Sequence, residues 1–276
     1  MKALLKFELR KLLRNKAFFI CLGIAVALIT ISLLINKVIF DSGLIEYAEQ
    51  EIPEEYAEQY AESLSALKES FNGIMMLKNL LANTSNLLNN TLVISGITIS
   101  LIVCEDFTGD TIKNIYSKGY SRTQVYFAKL VSSLIAFMAI ILSGMILSFG
   151  LGSLLLDGVG PVGKNFALSI VCIFLVALAY FMIYYSIAML FKKTAPSIVL
   201  CILGPLGLTL ILELIDMVKK TDKFNVSDYW IVGVSNNLSA IDVDNQYIIA
   251  GFIVPIVIIA GFGALSYFLN EKRDVK

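Results

Sequence analysis

Apolar residues occur along the chain in six long stretches separated by charged residues, at 17–36, 79–104, 130–156, 165–191, 194–212 and 245–270. A helix rises about 1.5 Å per residue, so each stretch is long enough to cross a hydrocarbon core roughly 30 Å thick. Lipid offers the backbone no hydrogen-bond partners, and the short alternating runs of a membrane β-barrel are missing. The pattern therefore predicts an all-α integral membrane protein with six transmembrane helices.

Composition agrees with this prediction and narrows the possible functions. Of the 276 residues, 57% are hydrophobic and 16% are charged, and the mean hydropathy is +0.78, far from the balance of a soluble domain. The chain contains no histidine, which excludes His-based catalytic triads and His-ligated metal sites. We expect the four cysteines, in or beside predicted spans, to be reduced packing residues: Cys21, Cys104, Cys172 and Cys201.

Charged residues are divided between the two sides of the membrane, although 22 basic and 22 acidic side chains leave a formal net charge of zero. Most lysines and arginines fall in the N-terminal tail, the 105–129 loop, the 192–193 turn and the C-terminal tail. Most carboxylates fall in the alternate loops. The positive-inside rule then places both termini and the 105–129 loop in the cytoplasm.

Residues 1–16 combine leucines at helical spacing with cations on another face. The spacing predicts an interfacial amphipathic helix that lies on the cytoplasmic leaflet, with its cations near anionic headgroups of membrane lipid. An ordinary basic flank of the first span is the alternative. The leucines are Leu5, Leu9, Leu12 and Leu13, and the cations are Lys2, Lys6, Arg10 and Arg14.

The external segment at 37–83 is acidic, and the spacing of its apolar residues predicts an amphipathic helix within it. Its acidic face would attract a cationic ligand such as a basic peptide, whereas a merely solvated face is the alternative. A second external loop is expected at 213–246.

Two predicted spans are unusual for a lipid environment. The second carries polar side chains that should face protein or a water-filled path, so that helix packing and a transport pathway at a dimer seam are both open interpretations. The fifth contains prolines that predict a kink or a break, at a moving or substrate-lining element or at a plain packing site. The residues concerned are Asn83, Asn86, Asn90, Thr91, Ser95 and Thr98 in the second span, and Pro196 and Pro205 in the fifth.

The 105–129 loop has a helix-turn-helix pattern. Residues 111–118 form a short helical run that Gly119 ends, and Ser121 with Gln124 matches a capping box that opens the third span. Ile112, Ile115 and Tyr116 share one face of the short helix. We expect this apolar knob to project into the cytoplasm, toward a groove in another protein.

This loop resembles the cytoplasmic loop between the second and third helices of ABC-2 type permeases. The resemblance is carried by Glu105, Gly109, Thr111, Ile112, Lys113, Gly119, Ser121, Arg122 and Lys129. Asp110 is an insertion into the family pattern, and Gly119 stands where many members have proline. The Gly-Tyr-Ser-Arg version at 119–122 is more similar to the bacterial subgroup associated with lantibiotic or bacitracin-type peptide export and immunity.

The resemblance implies one permease domain over 1–276, in a bacterial plasma membrane, that serves an ATP-driven exporter of peptides or other amphipathic antimicrobial compounds. A separate P-loop ATPase subunit would bind ATP and Mg, since this chain has no phosphate-binding loop and would itself be neither catalytic nor cofactor-binding. The short helix would be a coupling helix that docks into that ATPase, with Ile115 and Tyr116 beside the motif residues. A second permease copy or a sister permease would complete the path.

Other functions remain open at this stage. An ion-coupled transporter or channel is disfavoured, because the predicted spans carry ionisable residues only at their edges. A non-transporting immunity or scaffold subunit is the other alternative. No nucleic-acid partner is indicated.

Overall fold

The computed structural model describes residues 1–42, 72–82, 91–109, 111–156, 158–219 and 225–272. Within these ranges the chain is helical and has no β-strand, and six helices are long and apolar enough to cross a membrane. The predicted all-α membrane fold is therefore confirmed. The helices are α1 (Lys2–Leu12), α2 (Lys16–Asp41), α3 (Gly73–Ala82), α4 (Thr91–Thr108), α5 (Thr111–Ser117), α6 (Arg122–Leu155), α7 (Phe166–Phe191), α8 (Thr194–Lys219), α9 (Ile231–Leu238) and α10 (Asn245–Lys272), with a 3₁₀ turn at Ser227–Tyr229.

Side-chain caps fix where two of the spanning helices begin. The Asn15 side chain accepts hydrogen bonds from the backbone N–H groups of Ala17 (2.9 Å) and Phe18 (3.4 Å), at the start of α2. Ser121 and Gln124 form the predicted capping box at the start of α6, each side chain bonding to the other's backbone N–H at 3.2 Å. These caps satisfy backbone donors that a helix start leaves unpaired.

Helix α7 forms the centre of the bundle. It packs most extensively against α10 and also contacts α4, α6 and α8. Three tyrosines on α7 are fully buried, namely Tyr180, Tyr184 and Tyr185. The Tyr185 hydroxyl donates to the carbonyl of Tyr126 on α6 (3.0 Å), so polar side chains as well as apolar packing hold the centre together.

Helix α8 lies at the edge of the bundle. Its inner face meets α4 through small side chains, with Ser100 against Cys201 (3.4 Å) and Cys104 against Ser197 (3.5 Å). Its outer face, including Leu210, is exposed. Small residues let the two helices approach closely where lipid provides no hydrophobic drive for helix association.

The second and fifth spans differ in detail from the prediction. The stretch at 79–104 corresponds to α3 and α4, with 83–90 outside the described residues, and α3 already begins at Gly73. The fifth span is one continuous helix with Pro205 inside it, so the predicted break is absent. One missing N–H donor does not end a helix that neighbouring helices support.

All four cysteines are free and buried, as predicted. The segment at 37–83, expected to be external, lies mostly outside the described residues, and with it the predicted acidic helix. The helix α8 extends to Lys219, beyond the start of the external loop expected at 213–246.

Candidate functional site

The short helix α5 is packed into the rest of the chain by its apolar face. Ile112 is 1% exposed and Ile115 is also buried, and both pack with Leu4 of α1 and with Val125 of α6. The prediction of a free apolar knob is therefore wrong. The groove that this face needs is supplied by the chain's own N-terminal helix, which sequence spacing could not place beside it.

The polar face of α5 is the part that remains available. The residues at positions 113, 114, 117 and 118 are exposed, whereas Tyr116 is half-buried and its pKa is raised by that burial. Gly119 follows with a φ of 84°, a left-handed conformation that glycine adopts without a Cβ clash. Arg122 then donates to the carbonyl of Glu271 (2.9 Å) and ties the start of α6 to the end of α10.

Five ionisable residues meet beside α5, and we call Glu8, Lys11, Glu105, Asp106 and Lys129 the charge cluster. Asp106 on α4 is 1% exposed and forms ion pairs with Lys129 of α6, itself 2% exposed, and with Lys11 of α1. Lys11 also pairs with the more exposed Glu105 at 3.1 Å. The cluster thus connects α1, α4 and α6 at one end of the bundle, which we call the charged end.

Burial decides which of these charges matter for stability. A buried carboxylate such as Asp106 loses its hydration, and this loss is offset only while partner charges and hydrogen bonds remain in place. Glu105 is exposed, so its pairing with Lys11 contributes at most about 1 kcal/mol. Lys129 and Lys192 also lie 5.8 Å and 5.2 Å from the ring centroid of Phe107, which brings the end of α7 to the cluster.

Burial and neighbouring charges shift the pKa values of two side chains of α1. Glu8 is buried, and one of its carboxylate oxygens has no hydrogen-bond partner among the described residues. Burial raises the pKa of Glu8, although the positive charge of Lys129 opposes the shift. Burial also disfavours the charged form of Lys11, but the hydrogen bond and charge of Asp106 outweigh it and raise the pKa of Lys11.

The face of α1 that the chain buries is not the one expected. The line Leu4, Glu8 and Leu12 is buried, whereas Leu5 and Leu9 are only partly buried and Leu13 is exposed. A signal for this was present in the sequence, since Glu8 is the sole acidic residue in 1–16 and lies one helical turn from two leucines. Neither Glu8 nor Lys11 was among the predicted functional residues.

The polar residues of the second span that the structure describes lie inside this chain. Thr91, Ser95 and Thr98 are buried, and the Ser95 and Thr98 hydroxyls donate to backbone carbonyls one turn earlier. Their burial favours the helix-packing interpretation, and a place for them at a pathway or dimer seam stays a prediction. Asn83, Asn86 and Asn90 fall outside the described residues. In α8, Pro205 is buried and Pro196 is partly buried.

At the opposite end of the bundle Lys78 of α3 is 1% exposed. Its ammonium group donates to the carbonyl of Ala240 (2.7 Å) and lies 5.7 Å from the ring centroid of Phe166. Burial lowers the pKa of Lys78, and the charge of Asp242 partly opposes this. Lys78 thereby fastens α3 to the segment that precedes α10, an arrangement that the sequence did not indicate.

The sequence model of the ABC-2 family transporter proteins matches residues 4–207. This chain belongs to that family. The matched part includes most of α1, the charge cluster and α5, and extends into α8. No curated protein and no solved structure matches the chain.

Membership makes the chain a multi-pass membrane component of an ABC transporter, a class that is generally non-catalytic and works with an ATPase partner. Among the described residues, no group of three or more Cys, Asp or Glu side chains could hold a metal ion.

Proposed function

We propose that this chain is the permease subunit of an ABC exporter that moves peptides or other amphipathic antimicrobial compounds out of or away from the membrane. A separate P-loop ATPase subunit binds ATP and Mg and drives the movement. The observation that carries the proposal is the position of α5, a short helix packed between α1 and α6 with its polar face exposed.

The packing of α5 explains how a push from outside would reach the spans. Its buried face contacts both α1 and α6 through Leu4 and Val125, and it follows α4 directly. The charge cluster holds the same three helices together just behind it. A closing ATPase that pushes on α5 would then move these helices as a rigid body, since packed elements shift together rather than deform.

The exposed outer face of α8 supports the pairing of two permeases, either two copies or a sister pair. Gly204 and Gly207 have no other atoms within 4 Å of where a Cβ would stand, so this part of the helix leaves space for close approach. Leu203 and Leu208 beside them are exposed. We place the seam here instead of on the buried second span.

Copurification tests the ATPase contact. The tagged full-length protein is isolated from its native host membranes beside Lys113→Glu/Lys118→Glu, which reverses charge on the exposed face of α5 and leaves the isoleucines intact. The matched control is Lys2→Glu/Lys6→Glu on exposed positions of α1. We expect a small P-loop ATPase with wild type and control and at least a tenfold loss with the α5 variant, measured by mass spectrometry.

Each contrary outcome removes a different part of the proposal. If no ATPase accompanies the wild-type protein, ATP coupling is abandoned in favour of an ion-coupled or scaffolding subunit. If the ATPase stays with the α5 variant, the docking site is not the exposed face of this helix.

The likeness of residues 119–122 to the peptide export and immunity subgroup supports the proposed substrate class. Coexpression with the copurified ATPase in a sensitive host should raise the inhibitory concentration of cationic lantibiotics severalfold. An ATPase variant unable to hydrolyse ATP distinguishes transport from passive immunity, because a scaffold would protect the cell equally well with it.

A further inference from the structure

A cleft of about 550 Å³ opens between α1 and the first turn of α2. Four basic side chains line it, with Glu105 as its acidic residue and Phe7 and Ala17 as its apolar ones. The basic residues are Arg10, Lys11, Arg14 and Lys16. The cleft is thus strongly cationic and lies at the charged end of the bundle.

The floor of this cleft is held in place, whereas its rim carries uncompensated charge. Glu105 accepts from Lys11 (3.1 Å) and from the Asn15 side chain (3.2 Å), and Asn15 also caps α2. Arg10, Arg14 and Lys16 are exposed and form no ion pair with any carboxylate in the described parts of the chain. Three positive charges therefore surround a space, and an anion bound in that space would neutralise them.

Exposed apolar side chains continue directly from the basic rim. Phe7 is half-exposed at the cleft, and on the following turns of α2 Phe19, Ile20 and Ile24 are exposed. These belong to the helix that spans the membrane, so the cations stand at the level where the hydrocarbon surface begins. This arrangement matches a molecule with a phosphate at one end and acyl chains at the other, rather than a soluble anion.

We propose that the cleft binds the headgroup of an anionic phospholipid. Arg10, Arg14 and Lys16 surround its phosphate, and its acyl chains lie along Phe19 and Ile20. The arginine guanidinium groups suit this role because they bind phosphate oxygens in a bidentate manner. The bound lipid braces α1 against α2 beside the ion pair by which Lys11 joins α1 to Glu105 of α4.

Native mass spectrometry of the full-length protein in detergent tests this site, with phosphatidylglycerol and phosphatidylcholine as probes. The test variant is Arg10→Gln/Arg14→Gln/Lys16→Gln. The control, Lys2→Gln/Lys6→Gln/Lys193→Gln, removes the same charge from exposed positions outside the cleft lining. A cation near a membrane surface strengthens binding of an anionic lipid about fivefold, so we expect the test variant to bind phosphatidylglycerol about a hundredfold more weakly. The control should stay within about threefold of wild type.

Three results would overturn the assignment. If the test and control variants lost phosphatidylglycerol affinity equally, general surface charge would explain the binding. Wild-type binding of phosphatidylcholine as strong as that of phosphatidylglycerol would remove the requirement for an anion. Displacement of phosphatidylglycerol by millimolar inorganic phosphate would make the cleft a site for free phosphate rather than for lipid. None of these measurements depends on the ATPase partner, so the lipid site and the proposed transport function fail independently.

Discussion

Two lysines are buried at opposite ends of the bundle, and the chain compensates their charges in different ways. Lys129 forms an ion pair with the equally buried Asp106, which Lys11 approaches from the other side. Lys78 has a backbone carbonyl and an aromatic ring beside it, with Asp242 acting only through its charge. The charged end thus depends on a full carboxylate, whereas the opposite end relies on weaker dipole and ring interactions.

The largest expected effect comes from removing the central carboxylate. Asp106→Asn keeps the side-chain shape but leaves Lys129 buried without its counter-charge, and the loss in free energy of unfolding should be about 3–5 kcal/mol. Thermal unfolding of the purified protein measures it. Glu105→Gln is the matched control, since its exposed pair should contribute about 1 kcal/mol or less. Equal losses in the two variants would contradict the ranking by burial.

Replacing both partners of the buried pair sharpens the same comparison. Asp106→Leu/Lys129→Met removes the two buried charges together, and such replacements are often neutral or stabilising. Because Lys11 then keeps only Glu105, we expect most, but not all, of the stability lost in Asp106→Asn to return. A double variant as unstable as Asp106→Asn would mean that hydrogen bonding in the cluster matters more than charge balance.

The next largest effect on the free energy of unfolding is expected from a substitution of Lys78. The pKa of Lys78 is lowered in the folded protein. Its charge therefore destabilises the fold increasingly as pH falls from the ordinary lysine pKa of about 10.4 to the lower pKa of the folded state. Lys78→Met removes this cost but leaves the Ala240 carbonyl without its donor, and the net change should be about 1 kcal/mol. Unfolding measured from pH 8 to 10 should show stability rising with pH in wild type more than in the variant. Parallel curves would assign the pH dependence to other groups.

The smallest expected effect is that of Glu8→Gln. The pKa of Glu8 is raised by burial, so its contribution to stability is present below about pH 4.3 and is lost as pH rises through the folded value. Glutamine mimics the protonated form without this loss. We expect the variant to be as stable as wild type or slightly more stable at neutral pH, and equal to it in acid. A variant that is less stable at neutral pH would show that Glu8 is a charged member of the cluster.

The spans, the capping box of α6 and the glycine that follows α5 could be predicted from the sequence, because each depends on neighbours within a few residues. Ser121 with Gln124 is local chemistry, and so is the left-handed turn at Gly119. The outward face of α5 was predicted wrongly for the opposite reason. Ile112 and Ile115 are apolar whether they face this chain or a partner, and the contact with Leu4 joins residues more than a hundred positions apart.

The sequence by itself determined that this chain is a six-span helical membrane protein and that a capping box opens α6, because hydropathy and capping act over one or two helical turns. Only the tertiary structure decided which charges are buried, that α1 covers α5, and that Thr91, Ser95 and Thr98 are buried within the chain. Ion pairs such as Lys11 with Asp106 join residues far apart in sequence, and their strength depends on a burial that exists only after the helices have packed.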